Sequence, residues 1–215
     1  MDPTRTAELN IGIGVVAHVS RIQSATRLAD TVGAHLSVDD GTLGCEGNHK
    51  TVLAHLATLD SEWSVVLEDD AQPVDGFTDQ LPMVLNAAPT NLVSLYLGRQ
   101  RPPQFQSRIA SAVTQADTVG AHWLTSRHLM HAVAYAIRTT HIPNLLACHT
   151  TWPIDQHITR WLTGRRMAYC WPSIVNHLDG PTIAHHPDGH PRTPGRTAWR
   201  TGTRNTWHNT TVKLT

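Results

Sequence analysis

The chain has 215 residues, of which 40% are hydrophobic and 16% charged, so it is long enough for one sizeable α/β domain, with or without a tail. Its 17 basic residues balance 17 acidic ones, and a formal net charge of zero gives no global field of the kind that marks a nucleic-acid or membrane binder. Three widely spaced cysteines without a CxxC pair, and no apolar run as long as a signal peptide or a membrane span, predict a soluble cytoplasmic protein with reduced thiols.

Apolar segments alternate with segments of helical spacing along the first half of the chain. Continuous apolar or β-branched character predicts strands, and apolar residues three and four apart predict helices, the first of them capped by Ser20. The predicted strands are 10–19, 34–41 and 63–68, and the predicted helices are 20–33 and 44–60.

The same alternation continues through the second half. Pro82 either starts or kinks a predicted helix over 76–88, and Ser126 is the predicted cap of a helix over 126–140. A polar loop over 99–108 and a third helix over 153–164 are also predicted, together with strands at 91–98, 119–125 and within 166–178.

This order of elements predicts an α/β fold with a mainly parallel, Rossmann-like sheet flanked by helices. We expect a catalytic domain over residues 1–180, followed by a Pro-, Gly- and Arg-rich tail or lid over 181–215. Ligands bind at the carboxyl ends of the strands in such sheets.

Three adjacent acids, Glu68, Asp69 and Asp70, end the third predicted strand. A solvated turn is one interpretation. The other is a site for Mg²⁺ or Mn²⁺, because both ions favour oxygen ligands and the strand appears buried. On an extended segment Glu68 and Asp70 project to the same side, so we expect them to share the ion, while Asp69 faces the opposite way, towards a backbone or a ribose.

Five segments in order resemble glycosyltransferase family 25, the lipooligosaccharide and procollagen galactosyltransferase type. They are LGCEGNH (43–49), WSVVLEDDAQPVDGF (63–77), VGAHWLTSRHL (119–129), PIDQHI (153–158) and WPSIVNHL (171–178). The resemblance covers about residues 10–180 and implies a GT-A fold, a nucleotide-sugar donor, inversion at the transferred sugar, and a metal held by Glu68 and Asp70. Asn48 stands where the family usually has serine. Because the chain is short, we expect the acceptor-binding insertions of larger members to be missing, which leaves the acceptor class open.

Further site residues follow from position and from the resemblance. Asp155 either caps its helix or is the general base that deprotonates the acceptor, as the resemblance implies. His177 is a candidate third metal ligand, and His49 is expected near the donor or the acceptor. Asp39 and Asp40 either form a turn or contact the ribose or base of the donor, and Arg21 either contacts the diphosphate or lies on a solvated helix face.

The tail repeats arginine every four residues, at Arg192, Arg196, Arg200 and Arg204, with tryptophans between them. It is predicted to be a loosely packed terminus, a lid over donor phosphate, or a basic stacking surface for DNA.

Together these features predict a metal-dependent glycosyltransferase that moves a hexose from a nucleotide sugar, with UDP as the expected nucleotide, to an acceptor hydroxyl. The expected cofactor is Mn²⁺ or Mg²⁺, and the acceptor is a glycan, a protein or hydroxymethylated phage DNA. The alternatives are a metal-dependent phosphohydrolase or nucleotidyltransferase using the same acids, and a non-catalytic sugar-nucleotide-binding module.

Overall fold

The computed structural model describes residues 9–148, 151–180 and 195–215. These residues contain ten strands and six α-helices. The strands are β1 Ile11–His18, β2 His35–Asp39, β3 Trp63–Glu68, β4 Ala71–Pro73, β5 Leu92–Ser94, β6 Trp123–Ser126, β7 Ala134–Arg138, β8 Met167–Cys170, β9 Val175–His177 and β10 Thr211–Lys213. The helices are α1 Ile22–Val32, α2 Gly44–Leu56, α3 Phe77–Asn86, α4 Gln106–Val119, α5 Ile142–Leu146 and α6 Ile154–Trp161.

Eight of the described strands form one mixed sheet in the order β10-β6-β8-β5-β7-β3-β1-β2. The pairs β1–β2, β1–β3, β5–β8 and β6–β10 are parallel. The pairs β3–β7, β5–β7 and β6–β8 are antiparallel. Strands β4 and β9 form a separate two-stranded antiparallel sheet. The predicted α/β fold, with a mainly parallel sheet, is confirmed.

Helices cover both faces of the large sheet. Buried side chains of α2, α4, α5 and α6 join one apolar cluster, and those of α1 and α3 join the other. Continuous burial along β3, from Trp63 to Leu67, explains why its sequence lacks polar alternation. The sheet is therefore a rigid layer from whose edge the site residues project.

Helix α2 packs unusually close to strand β1. A Cβ atom on Gly14 would overlap the Cγ1 atom of Val52, which is fully buried on α2. Glycine at this position lets the helix lie directly against the strand, and the first two turns of α2 carry Cys45 and His49 to the site.

Two predictions for the second half of the chain are wrong. Residues 126–140 do not form a helix, because Ala134–Arg138 is strand β7, placed between β3 and β5. Pairing on both edges and burial on both faces override the helix propensity of its alanines. The predicted loop 99–108 extends too far, because helix α4 begins at Gln106. The buried stripe of this helix has helical spacing and was not predicted. That stripe consists of Ile109, Ala112, Val113 and Ala116.

Two local assignments are also corrected. Helix α1 begins at Ile22 with Arg21 at its N-cap, whereas the amide of Ser20 donates to Nδ1 of His18, so Ser20 is not the cap. The predicted strand within 166–178 is two strands, β8 and β9, separated by Trp171–Ile174. Pro82 lies inside α3, five residues after its start.

The C-terminal residues 195–215 return to the domain and add an edge strand. β10 pairs with β6 in parallel, and Trp207 is buried against Trp123. The amide of Trp199 donates to the carbonyl of Leu97. None of the helices in the described parts of the chain has both the length and the apolar character needed to cross a membrane.

Candidate active site

The candidate site lies where the order of the strands reverses. From β1 the chain moves to β2 on one side and then to β3 on the other side of β1, all three being parallel. Such a switch point leaves a crevice at the carboxyl ends of the strands, where ligands bind in open α/β sheets. The strand ends that border it are His18, Asp39 and Glu68.

The three adjacent acids contact two different groups: Asp69 and Asp70 bind Arg21, and Glu68 contacts His49. β3 ends at Glu68, and Asp69 and Asp70 form a turn leading into β4, so the prediction of an extended segment through Asp70 is wrong. Nη1 of Arg21 lies 2.8 Å from Oδ1 of Asp69 and 2.6 Å from Oδ2 of Asp70. The amide of His18 donates to Oδ2 of Asp69 at 2.9 Å. Arg21 therefore holds Asp69 and Asp70 together.

His177 reaches Asp70 through the small sheet. Ala71 of β4 is paired with His177 of β9, and the amide of Leu178 donates to the carbonyl of Asp70 at 2.8 Å. As a result Nε2 of His177 lies 3.4 Å from Oδ2 of Asp70. The structure thus brings together two of the three predicted metal ligands, although they are 107 positions apart in the chain (177 − 70).

Two polar atoms of this pair are buried without a hydrogen-bond partner among the described residues: Oδ1 of Asp70 and Nδ1 of His177. Burial by itself raises the pKa of the Asp70 carboxyl, but hydrogen bonding and charge from His177 and Arg21 outweigh it and lower the pKa. Asp70 is therefore an ionised carboxylate with one oxygen still available. Buried polar atoms without partners are rare and commonly mark a site that binds something.

Glu68, the third predicted metal ligand, faces helix α2. Its Oε1 lies 3.2 Å from Nε2 of His49, a fully buried ring. Nδ1 of the same ring lies 3.2 Å from the hydroxyl of Tyr135 on β7. Cys45 completes this group, because its sulfur, a His49 ring nitrogen and a Glu68 oxygen all lie within 4.8 Å of one another.

The thiol of Cys45 is electrostatically perturbed. Although the residue is exposed, crowding of its thiol by protein atoms and the charges of neighbouring carboxylates raise its pKa to about 12. The carboxylates responsible are Glu68, Asp155, Asp69 and Asp70. Cys45 therefore lies in the same region as these carboxylates, two of which are paired with Arg21.

Asp155 lies in the first turn of α6 and faces the same region. Its Oδ1 accepts a hydrogen bond from the amide of Gln156 at 2.8 Å. Burial and then the negative charge of Glu68 raise its pKa, against the opposing effect of the backbone hydrogen bond. A carboxyl with a raised pKa in a crevice is a candidate general base.

Asp39 and Asp40, the predicted ribose or base contacts, both bind the loop after β2. The Asp39 carboxylate accepts hydrogen bonds from the amides of Leu43 at 3.0 Å and Gly44 at 2.9 Å. It therefore binds backbone N–H groups at the N-terminus of α2. Oδ1 of Asp40 accepts from the amide of Thr42 at 3.0 Å. Both remain predicted donor contacts, as do Asp69, His49 and Arg21.

The described arginines of the C-terminal repeat bind within the protein. Arg196 forms an ion pair with Asp179, and Arg200 forms one with Asp117 while stacking on Trp171. Nε of Arg204 donates to the carbonyl of Trp171. Arg192 lies outside the described residues. These contacts tie the C-terminal segment to the domain.

Several large apolar side chains are exposed close in sequence to the site residues. Six of the eight such residues in the described chain lie within three positions of His18, Arg21, Asp39, Cys45, Asp155 or His177. They are Val19, Ile22, Val38, Leu43, Trp152 and Leu178. We call them the apolar rim. Exposed apolar side chains next to charged groups in the chain are expected at a site for a ligand with both polar and apolar faces.

Sequence reasoning missed several members of this site. Tyr135 was assigned to a helix, and the backbone amide of His18 has no sequence signature. Cys45 lies four residues before His49 in the LGCEGNH segment, and this spacing is the sequence signal that places both on one helix face.

No family model matches the chain, and no curated protein matches it. Among solved structures, CMP:2-keto-3-deoxy-manno-octonic acid synthetase complexed with CTP is similar over 77% of this chain and 92% of that chain, with 9% sequence identity and a TM-score of 0.39. A likeness at this level carries no argument about what this chain binds or transforms.

Proposed function

We propose that the protein is a metal-dependent glycosyltransferase that transfers a hexose from a nucleotide sugar, with UDP as the expected nucleotide, to an acceptor hydroxyl. The observation that supports this most is the ionised Asp70 at the switch point, with a buried oxygen that has no described partner and with His177 beside it. The order of the five family-like segments supports the same activity.

The donor set suits a divalent cation. Oδ2 of Asp70 contacts Nη1 of Arg21 at 2.6 Å and lies 3.4 Å from Nε2 of His177. The oxygen open to an ion is therefore Oδ1, which is buried and has no partner among the described residues. Asp70 and His177 would hold the ion, and imidazole favours Mn²⁺ over Mg²⁺. When bound, the ion would stabilise negative charge on a departing nucleoside diphosphate.

Arg21 is the protein's own cation at this position. It lies at the N-cap of α1 and contacts both Asp69 and Asp70. A diphosphate entering the crevice would meet this guanidinium, which forms bidentate contacts with phosphate oxygens readily. Asp69 then acts by positioning Arg21, because its Oδ1 binds Nη1 of the guanidinium at 2.8 Å.

Asp155 supplies the base that an inverting transfer needs. Burial above all raises the pKa of the Asp155 carboxyl, which makes its carboxylate a better proton acceptor than an ordinary aspartate. The negative charge of Glu68 contributes to this shift, which gives Glu68 a supporting role.

The apolar rim fits the remaining parts of such a donor. A nucleobase and a hexose ring each present apolar faces, and Val19, Val38 and Leu43 adjoin the strand ends that a bound nucleotide would cover. Trp152 and Leu178 are exposed close in sequence to Asp155 and His177. A glycan, a protein and a modified DNA base all remain candidate acceptors.

The proposal is tested by the substitution Asp70→Asn, with Asp75→Asn as the control. Asp75 is exposed five residues further along the same segment, so both variants lose one carboxylate charge. We expect Asp70→Asn to lower Mn²⁺-dependent hydrolysis of a UDP-hexose at least about 100-fold, because the charge that holds the ion is lost. Asp75→Asn should keep the rate of the unmodified protein.

A screen of UDP-sugars by mass spectrometry, with glycan, peptide and hydroxymethylated DNA acceptors, identifies the product. Release of phosphate from simple phosphoesters would instead indicate a phosphohydrolase, and pyrophosphate exchange a nucleotidyltransferase. A thermal shift with UDP-sugar but no turnover on any acceptor would indicate a binding module, and equal activity of Asp70→Asn would rule out the proposed role of that carboxylate.

A further inference from the structure

A second group of metal-ligating side chains lies beside the acidic turn. Cys45 and His49 are four residues apart on α2, so they share one face of the helix, and Glu68 meets that face from the end of β3. One donor atom from each residue falls within 4.8 Å of the other two. The three donors are a sulfur, a ring nitrogen and a carboxylate oxygen.

The orientation of His49 suits a metal ligand. The ring is fully buried, and Nδ1 lies 3.2 Å from the hydroxyl of Tyr135, which is also fully buried. This contact leaves Nε2 facing Glu68 at 3.2 Å. Histidines that bind metals are commonly fixed in this way, with the second ring nitrogen held by a polar group behind it.

The same geometry argues against a nucleophilic Cys–His–Glu triad. In such a triad the imidazole contacts the thiol through one nitrogen and the carboxylate through the other. Here Nδ1 contacts Tyr135, so only Nε2 remains for both Glu68 and Cys45. A single nitrogen cannot relay a proton between those two groups, whereas it can join both around one ion.

We propose that Cys45, His49 and Glu68 form a metal centre for a borderline divalent cation of the Zn²⁺ class, distinct from the Asp70–His177 pair. Binding of the ion would displace the proton of the Cys45 thiol into solvent. The resulting thiolate and the imidazole favour Zn²⁺ or Co²⁺ over the hard ions Mg²⁺ and Mn²⁺. Three protein ligands leave one position of a tetrahedral ion open, and Cys45 lies on the exposed side of the site. That open position would take water or a ligand oxygen from the crevice. The inference rests on these donors alone and not on the proposed transfer activity.

Co²⁺ is the probe for this centre, because thiolate-bound Co²⁺ gives a charge-transfer absorption band that oxygen and nitrogen ligands alone do not give. We expect one equivalent of Co²⁺ to produce the band in the full chain. The band should disappear in Cys45→Ser and persist in the control Cys148→Ser, which removes a partly buried thiol elsewhere.

Two further variants keep the test decisive if Cys45→Ser does not fold. Glu68→Gln should retain the band but bind Co²⁺ at least about tenfold more weakly, and Tyr135→Phe should weaken binding by about tenfold through the loss of the contact to His49. Absence of the band in the unmodified chain, its persistence in Cys45→Ser, or unchanged affinity in both Glu68→Gln and Tyr135→Phe would overturn the proposal.

Asp70→Asn separates this inference from the proposed function. Its cobalt band should match that of the unmodified chain, because the substitution leaves all three proposed ligands in place. Loss of the band in this variant would mean that the two groups form one site, which would overturn the proposal of a distinct centre. The cobalt spectrum needs no substrate, so it reports metal binding at Cys45, His49 and Glu68 even if no glycosyl transfer is found.

Discussion

Asp155, the proposed general base, lowers the stability of the folded protein when it is ionised. Its carboxylate is half-buried near Glu68, and both burial and that charge favour the neutral acid. The first turn of α6 compensates only in part, through the hydrogen bond from Gln156. An ionised Asp155 at neutral pH therefore destabilises the folded state relative to a neutral residue of the same shape.

We expect Asp155→Asn to raise the midpoint of thermal unfolding at pH 7 while it abolishes transfer. The asparagine oxygen can still accept from Gln156, but the charge is gone. Differential scanning calorimetry and the UDP-hexose assay measure the two effects. Glu62→Gln is the control, because it also neutralises one carboxylate but lies in an exposed ion pair with Arg138.

The pH dependence of this effect follows from the direction of the shift. The folded-state pKa of Asp155 lies above its unfolded value, so the folded protein binds the proton more tightly than the unfolded chain. The destabilisation by ionised Asp155 is complete above the folded-state pKa of this group. It is lost as the pH falls through that pKa. The stability advantage of Asp155→Asn should shrink in acid; an advantage that grew on acidification would contradict this account.

At the scale of elements, the contact between α2 and β1 positions half of the site. Gly14 has no side chain at the point where Val52 of α2 lies against the strand. Cys45 and His49 project from the same helix. Any displacement of α2 from the sheet would therefore move both groups away from Glu68.

We expect Gly14→Ala to lower the free energy of unfolding by about 1–3 kcal/mol, because the added methyl group overlaps a buried valine that has little room to move. Urea unfolding measures this loss. Gly180→Ala is the matched control, since among the described residues no atom lies within 4 Å of the Cβ it would add. An equal loss in both variants would show that close packing at Gly14 is not the cause.

At the scale of the whole molecule, the C-terminal segment is part of the folded domain. Trp207 is 8% exposed, contacts Trp123, and donates its indole N–H to Gln80 on α3 at 2.8 Å. Strand β10 follows it and completes the edge of the sheet. Deleting the segment would therefore remove structural contacts together with any role in binding an acceptor.

We expect Trp207→Ala to reduce the free energy of unfolding by about 3–5 kcal/mol, the range for truncation of a large buried aromatic side chain. Trp152→Ala makes the same chemical change at a residue that is 49% exposed and should cost much less. Urea unfolding of both variants makes the comparison, and similar losses would contradict the packing described for Trp207.

The sequence by itself determined the elements whose pattern is local. Strand β3 was predicted at its observed bounds, and α6 was predicted within a few residues, because apolar runs and helical spacing report directly on burial. Strand β7 was predicted as a helix, since its alanines favour helix and only its neighbours β3 and β5 make it a strand.

The tertiary structure alone decided how the site residues group. Alternation along an extended strand predicted Glu68 with Asp70, but the strand ends at Glu68 and the turn redirects the next two acids. His177 reaches Asp70 through β4–β9 pairing, and Cys45 and His49 reach Glu68 through packing of α2 on the sheet. A sequence states which chemical groups are present, whereas contacts between distant segments depend on strand order and packing, which local patterns do not encode.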